Sequence, residues 1–407
     1  MTRFVYVAVC VGFGVCLPLV ALAQQPEMKD VIRNLRKPDA EAEFSALETL
    51  RQTRYVEALK VAPLINDPVE RIQLSAIATE LSFYLVDDVR ALKRLRFVVE
   101  KESAPQAFDR GPLAAWPSTA PPELTDALLK AIDDKSRRVR VEAIYSLGVI
   151  ARPPLRDEDA TRLIAALDHD DPAIRAGAAR VIGRLQVKSA GDALIKALND
   201  SSPQVRYSAM RALGEIREER AIGALTDQLK CYAKGEGAWS ALDALARIGH
   251  ESSVPLFKSR LSDKDEYLRR AAAEGLGRTG DTTEIATLQT GATTDPSPMA
   301  RAAMTFAMQR LGQNYLPRLV DVLTSARLTL QIQDYLLELG EGIVPDLLPR
   351  LKEPTPEIRA GVAQILGALG DASTVSALEP LTKATDRTVA RAATEAIARI
   401  EMTGKEK

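Results

Sequence analysis

The stretch AGDALIKALNDSSPQVRYSAMRALGEIREERAIGA, residues 190–224, decides the fold. Ala193 to Leu198 reads as the end of one helix, and Asn199-Asp200-Ser201-Ser202-Pro203 as a turn. Pro203 suits the first position of the next helix, where a missing N–H costs nothing, and Asp200 or Ser202 is placed to cap exposed amides of that turn. Val205, Ala209, Leu213 and Ile216 then recur at helical spacing and form one apolar stripe. Gly214 follows Leu213, and a charged turn begins the next unit. The unit is therefore one helical hairpin.

Outward from this unit, the apolar-arginine pair Val205-Arg206 has counterparts at Val139-Arg140, Ile174-Arg175, Leu268-Arg269, Ala300-Arg301, Ile358-Arg359 and Ala390-Arg391. Successive arginines lie 35, 31, 63, 32, 58 and 32 residues apart, so each long gap holds one degenerate copy. A period of about 32 residues is one helical hairpin per repeat. Ala, Leu, Arg and Glu dominate after residue 125 and aromatic residues are only 5%, a helix-forming composition. The expected fold is all-α: a right-handed solenoid of stacked antiparallel helix pairs, a shape that mostly holds other molecules.

Aspartates precede the apolar member by five residues at Asp134, Asp200, Asp263 and Asp295, with Glu353 in the same place. Leu-Gly or its equivalent follows at Leu147-Gly148, Ile182-Gly183, Leu213-Gly214, Leu276-Gly277, Leu339-Gly340 and Leu366-Gly367. Over about residues 126 to 400 these features resemble the armadillo-like HEAT repeats, and more narrowly their short-period, phycobilisome-lyase-like (E-Z type) branch. The resemblance implies that Asp134, Arg140, Arg175, Asp200, Arg206, Asp263, Arg269, Asp295, Arg301, Arg359 and Arg391 form a structural ladder of hydrogen-bonded ion pairs through the turns.

Three residues after each apolar member stand Glu142, Gly177, Ser208, Ser240, Ala271, Ala303, Asp334, Gly361 and Ala393. Most are small, which lets neighbouring second helices approach closely. Three residues further lie Tyr145, Arg180, Arg211, Asp243, Glu274, Phe306, Leu337, Gln364 and Ala396. A chemically mixed row on a uniform scaffold is where recognition is expected, unless the row is only solvated or partly buried and drifting. The fourth copy, Cys231 to Trp239, lacks the arginine and carries Tyr232 and Trp239; it reads as a docking notch, a bend, or the decay of one repeat. The copy at Ile332 has lost its arginine too. Candidate partner-binding residues are thus Tyr145, Arg180, Arg211, Tyr232, Trp239, Asp243, Glu274 and Phe306.

At the N-terminus, Arg3, the apolar run Phe4 to Val20 and the triplet Ala21-Leu22-Ala23 read as a secretory signal peptide over residues 1–23, with an uncleaved anchor as the alternative. Residues 24–100 are expected to form a divergent helical cap, in which Asp67-Pro68, Ile72 and Ala76 mark a weak copy with Gln73 in place of arginine. Residues 101–122 carry five prolines and read as a long connection packed on the stack by Phe108 and Trp116, or as a binding loop. The repeat array of about nine hairpins follows over 123–407. Cleavage leaves Cys231 alone, so no internal disulfide forms and stability must come from a packed core.

Without Arg3, 53 basic residues face 55 acidic ones, a net charge of −2, which argues against nucleic acid or anionic lipid as partner. No apolar run past the signal peptide reaches membrane-spanning length. Only His169 and His250 offer imidazole; His169 lies in an acidic turn that reads as a helix cap, and the single His250-Glu251 pair is too little for a di-iron site like that of HEAT hydroxylases. Phosphate-loop, dinucleotide-loop, nucleophile-elbow and paired-cysteine motifs are missing. The reading is an exported, non-catalytic scaffold, periplasmic or extracellular, that binds a protein or peptide and needs no cofactor. A lyase or oxidoreductase on the same repeats, with a cofactor in the groove, is the second reading.

Overall fold

A computed structural model describes residues 33, 61–86, 92–95, 98–101, 103–153 and 155–406. Residues 1–23, read above as a signal peptide, and most of the segment up to residue 60 lie outside the described residues. Within residues 61–101 a short 3-10 turn (Ala62–Asn66) leads into helix α1 (Glu70–Tyr84), and a short antiparallel hairpin follows, of β1 (Leu92–Leu95) and β2 (Val98–Lys101), registered from Leu92↔Lys101 to Leu95↔Val98. The expected helical cap therefore contains one pair of strands. The proline-rich segment is not all loop: Ser103 caps helix α2 (Ala104–Asp109), its side chain and that of Gln106 making a reciprocal capping box.

Nine helix pairs follow among the described residues. They are α3 (Pro122–Ala131) with α4 (Arg137–Ile150), α5 (Asp157–Ala165) with α6 (Pro172–Arg184), and α7 (Gly191–Ala197) with α8 (Pro203–Glu215). Next come α9 (Ile222–Tyr232) with α10 (Gly235–Ile248), α11 (Val254–Arg260) with α12 (Glu266–Thr279), and α13 (Ile285–Thr294) with α14 (Pro298–Arg310). The last three are α15 (Leu316–Asp321) with α16 (Thr329–Leu339), α17 (Val344–Leu347) with α18 (Pro356–Leu369), and α19 (Val375–Leu378) with α20 (Arg387–Glu406). The chain is an all-α solenoid. No described helix is long and apolar enough to cross a membrane.

Pro172, Pro203, Pro298 and Pro356 each open a second helix, where proline is pre-set for the first turn. The apolar stripe Val205, Ala209, Leu213 and Ile216 is buried along α8. Consecutive second helices stack side by side. The Leu-Gly positions explain how closely: a Cβ on Gly214 would stand 2.7 Å from Cα of Ala244 on the next second helix, and one on Gly277 equally close to Cα of Ala307. Small residues of the preceding row, such as Ser240, Ala271, Ala303 and Ala393, are buried in the same seams. One core runs from Val61 to Ile400.

The array curves so far that its first and last pairs meet a common segment. Residues 104–117 lie inside the curve: Phe108 packs against Tyr145 of α4, Asp109 pairs with Arg180 of α6, and the guanidinium of Arg399 on α20 donates to the carbonyls of Leu113 and Ala115. Arg399 also sits over the ring of Trp116. The amide of Trp116 donates to the Tyr84 carbonyl, tying the segment to the end of α1.

Candidate functional site

Two sets of polar side chains stand out, one along the turns and one on the inner face. Along the turns, the ladder arginines from Arg140 to Arg359 hold their own turns by donating to the carbonyl at the aspartate position: Arg140 to Asp134 at 2.9 Å, Arg175 to His169 at 2.8 Å, Arg206 to Asp200 at 2.6 Å and Arg269 to Asp263 at 2.9 Å. Arg301 and Arg359 do the same toward Asp295 and Glu353. The other guanidinium nitrogens reach forward to the next repeat. Arg175 grips Asp200 with two bonds of 2.7 and 2.9 Å, Arg269 grips Asp295 with 2.8 and 2.9 Å, and Arg140 meets Asp171 at 2.7 Å. Such two-point pairs carry directional strength as well as charge. The aspartates in turn cap backbone, Asp200 accepting from the Ser202 amide and Asp295 from the Ser297 amide. Asp200, not Ser202, is thus the side chain that caps the turn before α8.

Electrostatics follow the geometry. The bond from Arg175 holds the Asp200 carboxyl below its ordinary range; burial alone would raise Asp171 and Asp295, but Arg140 and Arg269 respectively override it and hold both low. The first rung precedes the regular repeats, because Gln73 on α1 donates to Asp134 at 2.8 Å in the arginine's place. His169 occupies an aspartate slot and behaves like one, its Nδ1 accepting from the Asp171 amide at 2.8 Å.

The fourth copy corrects the expectation of a missing rung. The Tyr232 hydroxyl stands near the absent aspartate and accepts from Arg206 Nε at 2.6 Å, while Trp239, in the arginine slot, donates from its indole N–H to Asp265 at 2.7 Å. The ladder is continuous through this copy, with aromatic residues as its rungs. Trp239 stacks on Tyr267 with centroids 4.2 Å apart, and Tyr207 meets Tyr232 edge-on at 5.5 Å. Tyr267 is 38% exposed, one of few large apolar side chains so open among the described residues, and Cys231, next to Tyr232 in sequence, is exposed as well.

The mixed row faces the inside of the curve, where most of it is already engaged. Tyr145 and Arg180 hydrogen-bond each other at 3.2 Å against Phe108 and Asp109. Asp243 on α10 binds Arg270 at 2.8 Å and Arg247 at 3.3 Å; Arg247 reaches Asp334 on α16 at 3.0 Å. Glu274, 1% exposed, takes Arg270 and Arg278 at 3.0 Å each and the hydroxyl of Tyr335, and Arg278 continues to Glu338 at 2.8 Å. Phe306 is fully buried and stacks on Tyr335 at 4.3 Å. Gln364 accepts from Gln333, Leu337 is half-buried, and Ala396 is buried. Arg211 remains exposed, 3.4 Å from Glu236. Glu274 and Phe306 are thus buried and Asp243 half-buried, so these three candidates stand not in an open row but in and against an inner network that joins α10, α12 and α16 across the curve. Burial would raise the Asp243 and Glu338 carboxyls, but the arginines around them hold both below the ordinary range; burial and Glu274 push the Tyr335 hydroxyl up.

Among the described residues one acidic trio, Asp126, Glu158 and Asp159, has its oxygens close enough together to share a cation. Arg156 already fills that position, pairing with all three at 2.7 to 2.9 Å. His250 accepts from the Ser252 amide at a helix start, as a cap.

The family model for HEAT repeats matches residues 160–231, 233–309 and 342–407, more than half of the chain. The chain belongs to the HEAT-repeat family. No curated protein sequence matches it. Among solved structures it is similar to the complex of CpcE and CpcF of phycocyanin lyase from Nostoc sp. PCC7120, at 22% identity and TM-score 0.39, over 62% of this chain and 95% of that one. It is also similar to human deoxyhypusine hydroxylase, at 20% identity and TM-score 0.29, over 68% of this chain and 96% of that one. Importin beta matches at 16% identity and TM-score 0.38, over 92% of this chain and 50% of that one.

Proposed function

We propose that this HEAT-repeat chain is an exported, non-catalytic scaffold that docks a protein or peptide on the ladder edge around its fourth repeat. The observation that carries the reading is the aromatic run Tyr207, Tyr232, Trp239 and Tyr267, in contact as one edge-on and one stacked pair and open to solvent at Tyr267. Aromatic side chains offer large contact area at low entropic cost and are enriched at the centres of protein interfaces. The inner face supports the same choice by elimination of space, since the connector and the charge network occupy it. Export rests on Arg3, the apolar run and Ala21-Leu22-Ala23.

The test is affinity capture from the native envelope with the wild-type chain and with Tyr267→Ser, which removes an exposed ring that makes no rung. A partner retained by wild type and lost by the variant is expected; equal capture by both removes the edge as the docking site. N-terminal sequencing of the exported protein is expected to begin at Gln24. Stoichiometric iron or a coloured bound ligand in purified protein overturns the scaffold reading in favour of a lyase or oxidoreductase.

A further inference from the structure

The connector does not fill the curve completely. On one side of residues 111–117 it leaves a cavity of about 290 Å³, walled by the connector and by α4, α6, α16, α18 and α20. Its apolar lining includes Pro112, Leu113, Val149, Leu185 and Leu337. Its charged lining is Arg152, Arg184 and Arg399, with no Asp or Glu among the residues around it.

A second cavity of similar volume on the other side of the connector makes the contrast. There Arg247 and Arg270 are accompanied by Asp109, Glu274 and Asp334, and Arg184 lines both spaces. In the first cavity the guanidinium groups rest on backbone carbonyls and a ring face. Arg399 donates to the carbonyls of Leu113 and Ala115, Arg152 to those of Val149, Ala151 and Trp116, and Arg184 lies on the Phe108 ring with its central carbon 3.5 Å from the centroid. Carbonyl dipoles and a ring face orient a cation without cancelling its charge. Burial pulls Arg184 and Arg399 down to about 10 each, with Glu215 and Glu395 the principal acidic groups that oppose it, and neither of these lines the cavity.

We propose that this cavity binds a small oxyanion, a phosphate or a carboxylate group, between Arg184 and Arg399. Arginine's planar fork suits two-point recognition of either group, and an apolar wall strengthens each charge-assisted bond. The volume lies at the small end of ligand sites, which fits a compact anion. The site is independent of the ladder edge, so a protein partner and an anion can be held at once.

Equilibrium dialysis of the whole exported chain against labelled inorganic phosphate and, separately, labelled succinate tests it. The wild type is expected to bind one anion per chain, and the arm that binds more tightly identifies the group. Arg184→Met is expected to weaken binding at least tenfold. Because that change also removes packing on Phe108, Arg184→Lys is measured beside it; it keeps the charge, loses the fork, and is expected to fall between the two. Failure of the wild type to bind either anion, or equal affinity in wild type and both variants, overturns the proposal.

Discussion

The ladder edge and the inner network use the same chemistry and differ in reach. Ladder bonds join neighbouring repeats, as Arg175 joins Asp200 and Arg269 joins Asp295, 25 and 26 residues on. The network has neighbour bonds too, such as Arg270 to Asp243, but adds bonds that skip a repeat or more, Arg278 reaching Glu338 60 residues on and Arg247 reaching Asp334 87 residues on. The ladder makes each hairpin sit correctly on the next and would do so in a solenoid of any length. Those long bonds exist only because the array bends until α16 meets α10 and α12, so they fix curvature.

The largest expected effect that tests this contrast is acid. Asp171, Asp200, Asp295, Asp243 and Glu338 all have carboxyls held below their ordinary range in the folded chain. Their contribution is therefore complete above the unfolded carboxylate value of about 4 and is lost as pH falls through the lower folded values. Urea denaturation between pH 7 and 2 is expected to show stability falling steeply on the acid side; a flat profile would contradict the pairing in both regions. Next comes Glu274→Gln, which leaves Arg270 and Arg278 buried with less compensation and is expected to cost about 3–5 kcal/mol. A smaller loss is expected for Asp295→Asn, about 2 kcal/mol, because Arg269 keeps its bonds to the Asp263 and Lys264 carbonyls. If the two losses are equal, reach does not matter. The smallest is Trp239→Phe, which keeps the stack on Tyr267 but deletes the bond to Asp265, for about 1 kcal/mol by thermal or urea melting. No loss there would return the fourth copy to a gap.

Periodicity explains what could be read in advance. Any residue that recurs every 32 or so positions is seen many times, so the helix pairs, Pro203 at a helix start, the arginine rungs and even Gln73 as a substitute rung were legible. Tyr232 and Trp239 read as a loss because they keep the hydrogen bonds of the rung while abandoning its charge; an indole N–H in the arginine slot was the available signal. The mixed row was found, yet its direction was not its fate: that Asp243 is half-buried and Glu274 and Phe306 are buried depends on the bend, which no single repeat encodes. The same holds for Trp116, whose packing on the stack was expected but whose contact with α20 was not.

That contact changes how the array can come apart. A string of repeats ordinarily melts from its ends, each terminal unit held by one neighbour alone. Here Arg399 and Trp116 buckle the last pair to a strap that also grips the first, so the belt is closed. Loosening the strap frees both ends together, and the final helix should exchange its amide protons with the slowness of the middle.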